Sequence, residues 1–595
     1  MKPIENILLV YPKVPSNTYW SYRHSLAFLS KKSAHPPLGL ITVAAYLDSS
    51  AYHLKLVDMN IEPLLEKDLK WADAVFVSAM IVQKASFGEV IASCNRIGVP
   101  VIAGGPYVTT CPESIQGADH LLPGEVDETL ADFMAELQTG RAKGVLPMPK
   151  RPDITNLPPP RFDLLDMNAY ASMAIQYSRG CPFQCEFCDI WKMYGNRPRL
   201  KAAQTVLEEL TTLYELGWRG SIFVVDDNFI GNKKRVKSEL LPAVTAWQKV
   251  HGNVFRFYTE ASINLAQDEE LLAGMRDAGF NGVFVGIETP SEASLKETGK
   301  LQNLKSDMLN AVFTIQRYGI EVMAGFILGF DSDTEDIFDQ QIAFIQQSGI
   351  PRAMVGLLSA LPGTELYERL KQEGRIIRQA DGNNTHCMST NFYTKMDPRT
   401  LKEGYRRVLA SIYDLKLKNY FRRCNRLMKN LGNAQRFSSN IRLQEIWILF
   451  RSLLRQPFTP YGCQFVKFAT VNFFRGRRFF HEAIMFGVIG HHYHRITWDM
   501  IKTEALARDL DRACERLRRK VGSYKSRLLD NSEKSMRKLT GLWKERNRAL
   551  IRVQRRMEKV NDDFKAELYE KYVEAAKQMR ELILSFEKEM LKAGG

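Results

Sequence analysis

The chain has 595 residues, 45% of them apolar and 10% aromatic, which is enough to bury several cores, so two to four domains are expected. Its nine cysteines do not suggest a disulfide framework, which points to a reducing compartment, and no apolar run reaches the ~20 residues that span a bilayer. The net charge of +15 is uneven: residues 416–500 carry 15 Lys and Arg against 3 Asp and Glu, residues 501–595 carry 25 against 16, and residues 1–415 are left at −6.

Residues 1–145 alternate short β-rich apolar runs, at 7–11, 54–58, 74–78 and 101–103, with helical stretches. The first run reads as a buried strand and not as a secretory signal, so a cytoplasmic protein is expected. Strands alternating with helices build a parallel sheet that binds ligands at the carboxyl ends of its strands. Those ends hold Tyr11, Asp58-Met59-Asn60, Ser78 and Met80, and Gly104-Gly105-Pro106, followed by Gly124-Glu125. Glycine at such ends lets the backbone approach a bulky ligand. Taken alone this is a Rossmann-like domain, and one that binds nothing would read the same way.

Residues 146–170 hold Pro147, Pro149, Pro152, Pro158, Pro159 and Pro160, which stiffen a connector and exclude helix. A second strand–helix alternation occupies residues 171–375. It starts with a strand leading into a cysteine loop and continues with strands at 221–225, 255–259, 282–286, 322–328 and 353–358. Six such units make a partial (β/α)6 barrel, with the chemistry at the strand carboxyl ends.

The cysteine loop is Gly180-Cys181-Pro-Phe-Gln-Cys185-Glu-Phe187-Cys188, a Cys-x3-Cys-x2-Cys spacing with an aromatic residue before the third thiol. Thiolates select zinc, copper(I) or iron–sulfur clusters. Structural zinc needs a fourth ligand, and no Cys or His stands at that spacing. Three cysteines suit a four-iron four-sulfur cluster with one iron left open, unlike the four-cysteine ferredoxin sets. An open iron can bind a substrate, which points to catalysis. Three buried, unrelated cysteines are the bland alternative.

With this spacing and this aromatic, the chain resembles the radical S-adenosylmethionine (SAM) enzymes, and the domain before it resembles the cobalamin-binding domain of the class that carries both cofactors. The segment His35-Pro-Pro-Leu-Gly-Leu and the order Gly-Gly-Pro then Gly-Glu match that class. The resemblance covers roughly residues 1–480 and is nearest to hopanoid methylases and related enzymes of lipid and natural-product modification. It implies cluster ligation by Cys181, Cys185 and Cys188. It implies SAM contacts at Phe187, at Asp226 and Asp227 after the second barrel strand, and at Glu260 and Ser262 after the third. Glu288 after the fourth strand and Gly325 and Gly329 on the fifth complete that set. Family members usually carry Gly-Gly-Glu where this chain has Asp226-Asp-Asn228, which leaves that contact open, and a helix N-cap or loop bond would also explain any single carboxylate. Tyr11, Ser78, Met80, Gly104, Gly105, Gly124 and Glu125 are the implied cobalamin contacts. No Asp-x-His-x-x-Gly is present, so no histidine is expected on the lower face of that cofactor.

Residues 376–500 are expected to form a basic, aromatic helical domain, in which Tyr420-Phe-Arg-Arg, Trp447-Ile-Leu-Phe-Arg and Asn472-Phe-Phe-Arg interleave cations with large apolar groups. Three readings stand: helices lying in a membrane interface, a stacking surface for single-stranded nucleic acid, or a cover over the open barrel. His491-His492-x-His494 is either a metal site or a polar corner near a helix end. Residues 501–595, with apolar residues from Leu539 through Trp543, Leu550, Tyr572 and Leu582 to Phe586, read as an amphipathic helix or helical hairpin for self-association or docking.

The resemblance implies a methyltransferase acting on an unactivated carbon of a lipid or natural product. One SAM would methylate the cobalamin and a second would furnish a radical that removes a substrate hydrogen, with a flavodoxin- or ferredoxin-type protein as electron donor. Peripheral contact at the inner membrane face is a further expectation, and nucleic acid is not an expected partner. A cobalamin-using cyclase or rearrangement enzyme, and a non-catalytic scaffold, are the alternatives. A transfer-RNA methylthiotransferase is less attractive, because no separate basic β-barrel domain follows the barrel.

Overall fold

The computed structural model describes residues 3–305, 307–386, 389–432, 443–526, 532–560 and 562–593. These fall into two compact units, residues 1–494 and 495–595. Cys387 and part of the basic stretch near residue 436 lie outside the described residues.

The first unit holds two parallel sheets. The first comprises β1 (Asn6–Tyr11), β2 (His53–Asp58), β3 (Ala74–Ser78), β4 (Val101–Gly104) and β5 (His120–Leu122), in the order β2-β1-β3-β4-β5. The four expected strands are there, and β5 is an addition, too short at three residues to stand out from the turn before Gly124. Side chains of β1 alternate between two cores. Leu8 and Val10 pack with Val75, Val77 and Phe87, while Ile7 and Leu9 pack with Phe76, Ile102 and Phe133. Both faces are thus covered by helices, as a parallel sheet requires. The strand order reverses between β1 and β3, which opens a crevice at their carboxyl ends.

The second sheet is built from β6 (Ser172–Ile175), β7 (Ser221–Val224), β8 (Arg256–Glu260), β9 (Phe280–Glu288), β10 (Glu321–Leu328) and β11 (Ala353–Leu357). All neighbours are parallel and sequential, and β6 does not pair with β11, so the barrel is open. Ile222, Val224, Phe257, Thr259, Val283 and Val285 are buried against the helices. The alternate residues line the other face, where Phe223 and Tyr258 stack with ring centroids 4.8 Å apart.

The region after the barrel differs from the sequence reading. The described residues between 376 and 397 are not helical: Thr385 bridges to Gly356, and Ile376 to Phe392. This loop runs back to the first sheet, where Lys84 donates to the Ala380 carbonyl (2.8 Å) and a side chain at Gly382 would strike Ile81 and Val82. Helices begin only at Pro398, with Pro398–Ile412, Lys418–Leu431, Leu443–Arg455 and Gly462–Phe474. The Tyr420-Phe-Arg-Arg group is interior: Arg423 is buried, donates to the carbonyls of Ile350 (2.8 Å) and Ile412 (2.9 Å), and lies over the Tyr413 and Tyr420 rings. The histidines separate into three unlike bonds, His491 with the Tyr461 hydroxyl, His492 with the Tyr19 carbonyl and His494 with the Leu415 carbonyl.

The second unit is helical. It holds the distal part of Arg477–Lys525 together with Ser532–Met557 and Asp562–Ala593. Leu510, Leu517, Leu542, Leu550, Met579, Ile583 and Phe586 form its interior. The expected Leu539, Leu550 and Phe586 are buried, while Leu542, just before the half-buried Trp543, and Ile583, just after the half-buried Leu582, take the interior places of those two. Lys520–Glu545 and Lys525–Glu589 pairs, both 2.6 Å, join its helices at the surface.

Candidate functional site

The residues leading into the cysteine loop form a two-strand ribbon, in which Ser178–Arg179 pairs with Arg199–Leu200. Gly180 follows at φ +99°, and a side chain there would meet the Gly195 carbonyl at 2.7 Å, so the entrance to the loop requires glycine. The loop is braced on both sides. The Cys181 amide donates to Gly195 (3.1 Å), the Glu186 amide to Thr298 (3.0 Å), and Arg369 grips the Glu186 carboxylate.

Around the thiols stand Asn228, whose amide reaches Cys181 Sγ at 4.0 Å, and Gln302, whose amide reaches Cys185 Sγ at 3.9 Å. Burial pushes all three thiols up in pKa, Cys188 most, so their thiolates require a cationic partner. Lys300 supplies part of that charge. Burial opposes its ammonium, but the ion pair with Glu288 and the nearby Cys185 outweigh this and keep it protonated. Among the described residues no three His, Cys, Asp or Glu side chains converge as ligands of a single ion. A four-iron cluster is a different fit, because each thiolate binds a separate iron and the three sulfurs stand farther apart; one buried and two half-buried thiols beside a lysine suit that donor set.

The expected SAM residues divide by how much of each side chain is already engaged. Asp226 spends one oxygen on the Tyr177 amide (2.7 Å) and the other on the Ser178 hydroxyl (2.6 Å). Asp227 accepts from the Gly180 amide (3.0 Å). Both hold the approach to the cysteine loop, and burial raises them to about 7 and about 6. The Glu260 carboxyl makes no hydrogen bond or ion pair among the described residues, although its backbone carbonyl accepts from the Phe229 amide (2.9 Å). Burial, then the charge of Asp227, raises it to about 8. Ser262 is tied to Asn228 and to the Asn264 side chain (2.7 Å). Glu288 sits at a register shift in β9 with φ +62°, a strained backbone that aims its carboxylate at Lys300. Phe187 lies 6.2 Å from Phe330. Gly325 faces the Phe284 ring, with 3.1 Å to a built side chain, and Gly329 has φ +102° with its amide on Asp333.

At the first sheet, Gln83 fastens the ends of β1 and β3 by donating to the Pro12 carbonyl (2.5 Å) and accepting from the Met80 amide (2.9 Å). Gly105 has φ +89°, and a side chain there would fall 2.4 Å from Ser78 Oγ. Gly104 sits within 3.5 Å of the Leu122 carbonyl on the same measure, and the Gly124 amide donates to Thr109. Tyr11 is raised by burial and by Asp58, which itself accepts from Asn60 and Tyr170. Met80 is 42% exposed at this rim. His53 and His120 begin β2 and β5 and so stand at the opposite, amino ends. A neutral rim of glycine, serine and methionine fits a large flat macrocycle approached by backbone.

Glu125 is otherwise engaged. Its oxygens accept from Arg179 (2.7 Å) and Arg199 (2.6 Å), and Arg179 also binds Asp127 (2.8 Å). This buried strut joins the turn after β5 to the residue before Gly180-Cys181, so the carboxyl ends of the two sheets meet. Sequence reasoning missed Arg179, Arg199, Asp127, Gln302 and Lys300. Their partners lie 12 to 117 positions away, and no local pattern marks them.

Comparison with known proteins gives the family of the chain and the domains that hold these residues. The radical SAM superfamily matches residues 175–345, the B12 binding domain matches 26–134, and a domain of unknown function (DUF4070) matches 364–505. An uncharacterized methyltransferase of Synechocystis is 44% identical over 409 residues, 68% of this chain and 76% of that protein. The hopanoid C-2 methylase of Rhodopseudomonas palustris is 40% identical over 376 residues, 62% of this chain and 71% of that enzyme. Among solved structures, the cobalamin-dependent radical enzyme OxsB aligns with a TM-score of 0.54 at 14% identity, over 80% of this chain and 74% of that one. TsrM from Kitasatospora setae aligns at 0.51 and 15%, over 76% and 99%, and these two likenesses show the fold. The chain belongs to the cobalamin-dependent radical SAM enzymes. Within that family it is a methyltransferase whose cofactors are a four-iron four-sulfur cluster, SAM and cobalamin.

Proposed function

We propose that this methyltransferase methylates an unactivated carbon of an amphiphilic, lipid-like small molecule, drawing electrons from an external flavodoxin- or ferredoxin-type donor and working against a membrane face. The single observation that carries the reading is the Arg179 strut, which fastens the glycine rim of the first sheet to the entrance of the cysteine loop on the second. Two cofactor sites joined in this way can share one substrate. Similarity to a hopanoid C-2 methylase supports a lipid carbon as the acceptor.

When bound, the three cofactors supply removal of a hydrogen atom and delivery of a methyl group. Cys181, Cys185 and Cys188 would hold three irons, with Asn228 and Gln302 directing amide N–H groups at two of the sulfurs. Glu260, with its carboxyl unspent, and Asp227 would receive the ammonium of SAM, and ionisation of Glu260 would accompany the arrival of that cation. Ser262 and Asn228 would position the ribose side, and Gly325 and Gly329 would leave room for the flat adenine. Ser78, Met80, Gly104, Gly105 and Gly124 would seat cobalamin with no histidine beneath it. Asp226 and Glu125 act through others, as positioning residues for the cysteine loop.

The test is anaerobic turnover with SAM labelled in its methyl group and a lipid extract from a strain lacking the gene. Label entering a lipid with the added mass of one methylene group per event is the expected result. Deoxyadenosine formed with an unchanged product mass would overturn methyl transfer to substrate.

A further inference from the structure

The helix Leu443–Arg455, joined to Gly462–Phe474 by the turn Gln456–Phe458, is amphipathic in the reverse of the usual sense. The polar side of the first helix is inward. Ser452 and Gln456 are fully buried, and Arg451 donates to the Ser30 hydroxyl and the Phe28 carbonyl. The outward side carries Trp447, Phe450 and Leu454, spaced i, i+3, i+7 and each more than half exposed. Phe458 at the turn is 87% exposed, and Phe473 and Phe474 close the second helix at 59% and 81%. A water-soluble surface rarely leaves so many large apolar groups together.

The charge in this stretch has one sign. Residues 446–481 contain six Arg and Lys and no Asp or Glu, and Lys467, Arg475 and Arg477 are exposed. Aromatic side chains ringed by cations match the interface of an anionic bilayer, where rings enter the headgroup boundary and cations meet lipid phosphates. A second copy of the chain fits poorly, since a twofold contact would set the same six cations against themselves. Single-stranded nucleic acid would use the rings but leave Leu454 and Ile446 without partners. No helix is long and apolar enough to cross a membrane among the described residues, so the contact is one that lies on the surface.

We infer that the Trp447–Phe450–Leu454 face, with Phe458, Phe473 and Phe474, docks the enzyme on an anionic lipid surface. This deepens the membrane part of the proposed function and is independent of the reaction. The test is flotation of the full-length protein with phosphatidylcholine vesicles, with and without about one third phosphatidylglycerol, at low and high salt. Flotation should need the anionic lipid, weaken at high salt, and fall by about tenfold or more in W447E/F450E and separately in F473S/F474S. Brominated lipid should quench part of the tryptophan emission, and that part should vanish in W447F. Failure of the wild type to float, flotation of both double variants at the wild-type level, or a concentration-dependent dimer lost in those variants would overturn the inference. Both double variants should still form deoxyadenosine, and a Cys181→Ala protein should still float, so failure here and failure of the proposed reaction are separable.

Discussion

The two parallel sheets present their carboxyl ends to one region, yet those ends have opposite characters. The first sheet is almost free of unspent charge: Asp58 is bonded to Asn60 and Tyr170, Glu125 and Asp127 are held by arginines, and what remains is glycine, serine and methionine. The second sheet crowds Asp226, Asp227, Glu260 and Glu288 together, and among the described residues the one ion pair they make is that of Glu288 with Lys300. The contrast is the one the proposed cofactor sites call for. A broad macrocycle is bound by close backbone approach, and a small zwitterionic sulfonium by charges held ready for it.

The sharpest way to break this contrast is at the cysteines. Changing Cys181, Cys185 or Cys188 to Ala should abolish deoxyadenosine formation and lower the iron content, while cobalamin binding persists. Retained cleavage of SAM in the triple variant would remove the cluster from the acidic sheet. Next in size is Arg179→Met, which leaves Glu125 and Asp127 buried without their shared cation. Breaking such a pair costs about 3–5 kcal/mol, and chemical denaturation should show a loss of that order. A loss below about 1 kcal/mol would mean that the sheets are not fastened there.

Gly105→Ala tests the neutral rim, because it forces φ +89° on an alanine and drives a methyl group toward Ser78 Oγ. This positive-φ extended backbone, essentially confined to glycine, costs an alanine about 1–3 kcal/mol, so cobalamin affinity in equilibrium dialysis should drop about tenfold or more while cluster content is unchanged. Bound cob(II)alamin in the unaltered protein should show no nitrogen hyperfine splitting in paramagnetic resonance, and such splitting would place a histidine where the rim has none.

The smallest effect concerns pH. Glu260 is raised by burial to about 8 in the folded protein, above the ordinary 4.5, so folding favours its protonated form. Stability from this group is full below the unfolded value and is lost as pH rises through about 8. The ligand-free protein should therefore melt lower at pH 8 than at pH 6, and Glu260→Gln should flatten that slope. The same variant should weaken SAM binding by about 1.5–3 kcal/mol, the worth of a hydrogen bond to a charged group, as measured by calorimetry. An unchanged slope and an unchanged affinity would separate Glu260 from the sulfonium site.

Cys181, Cys185 and Cys188 stand within eight positions of one another, so their spacing and the aromatic before the third thiol were legible in the chain by itself. Short apolar β-rich runs likewise marked ten of the eleven strands of the two sheets; β5 was passed over because three residues make too short a run. Tertiary structure decided which charges are spent. Asp226 and Glu125 read like ligands in the chain, and both turned out to be bound to groups 48 to 74 positions away. It also decided the fate of two similar aromatic–cation stretches: Tyr420 and Arg423 are packed inside, whereas Trp447 and Phe450 face out. The residues 378–386 that reach from β11 back to the first sheet had no periodic signal at all. Local spacing sets what a loop can ligate and which face of a strand is apolar. Which carboxylate meets an arginine, and which ring meets water, depends on pairings between distant segments that arise only once the chain has packed.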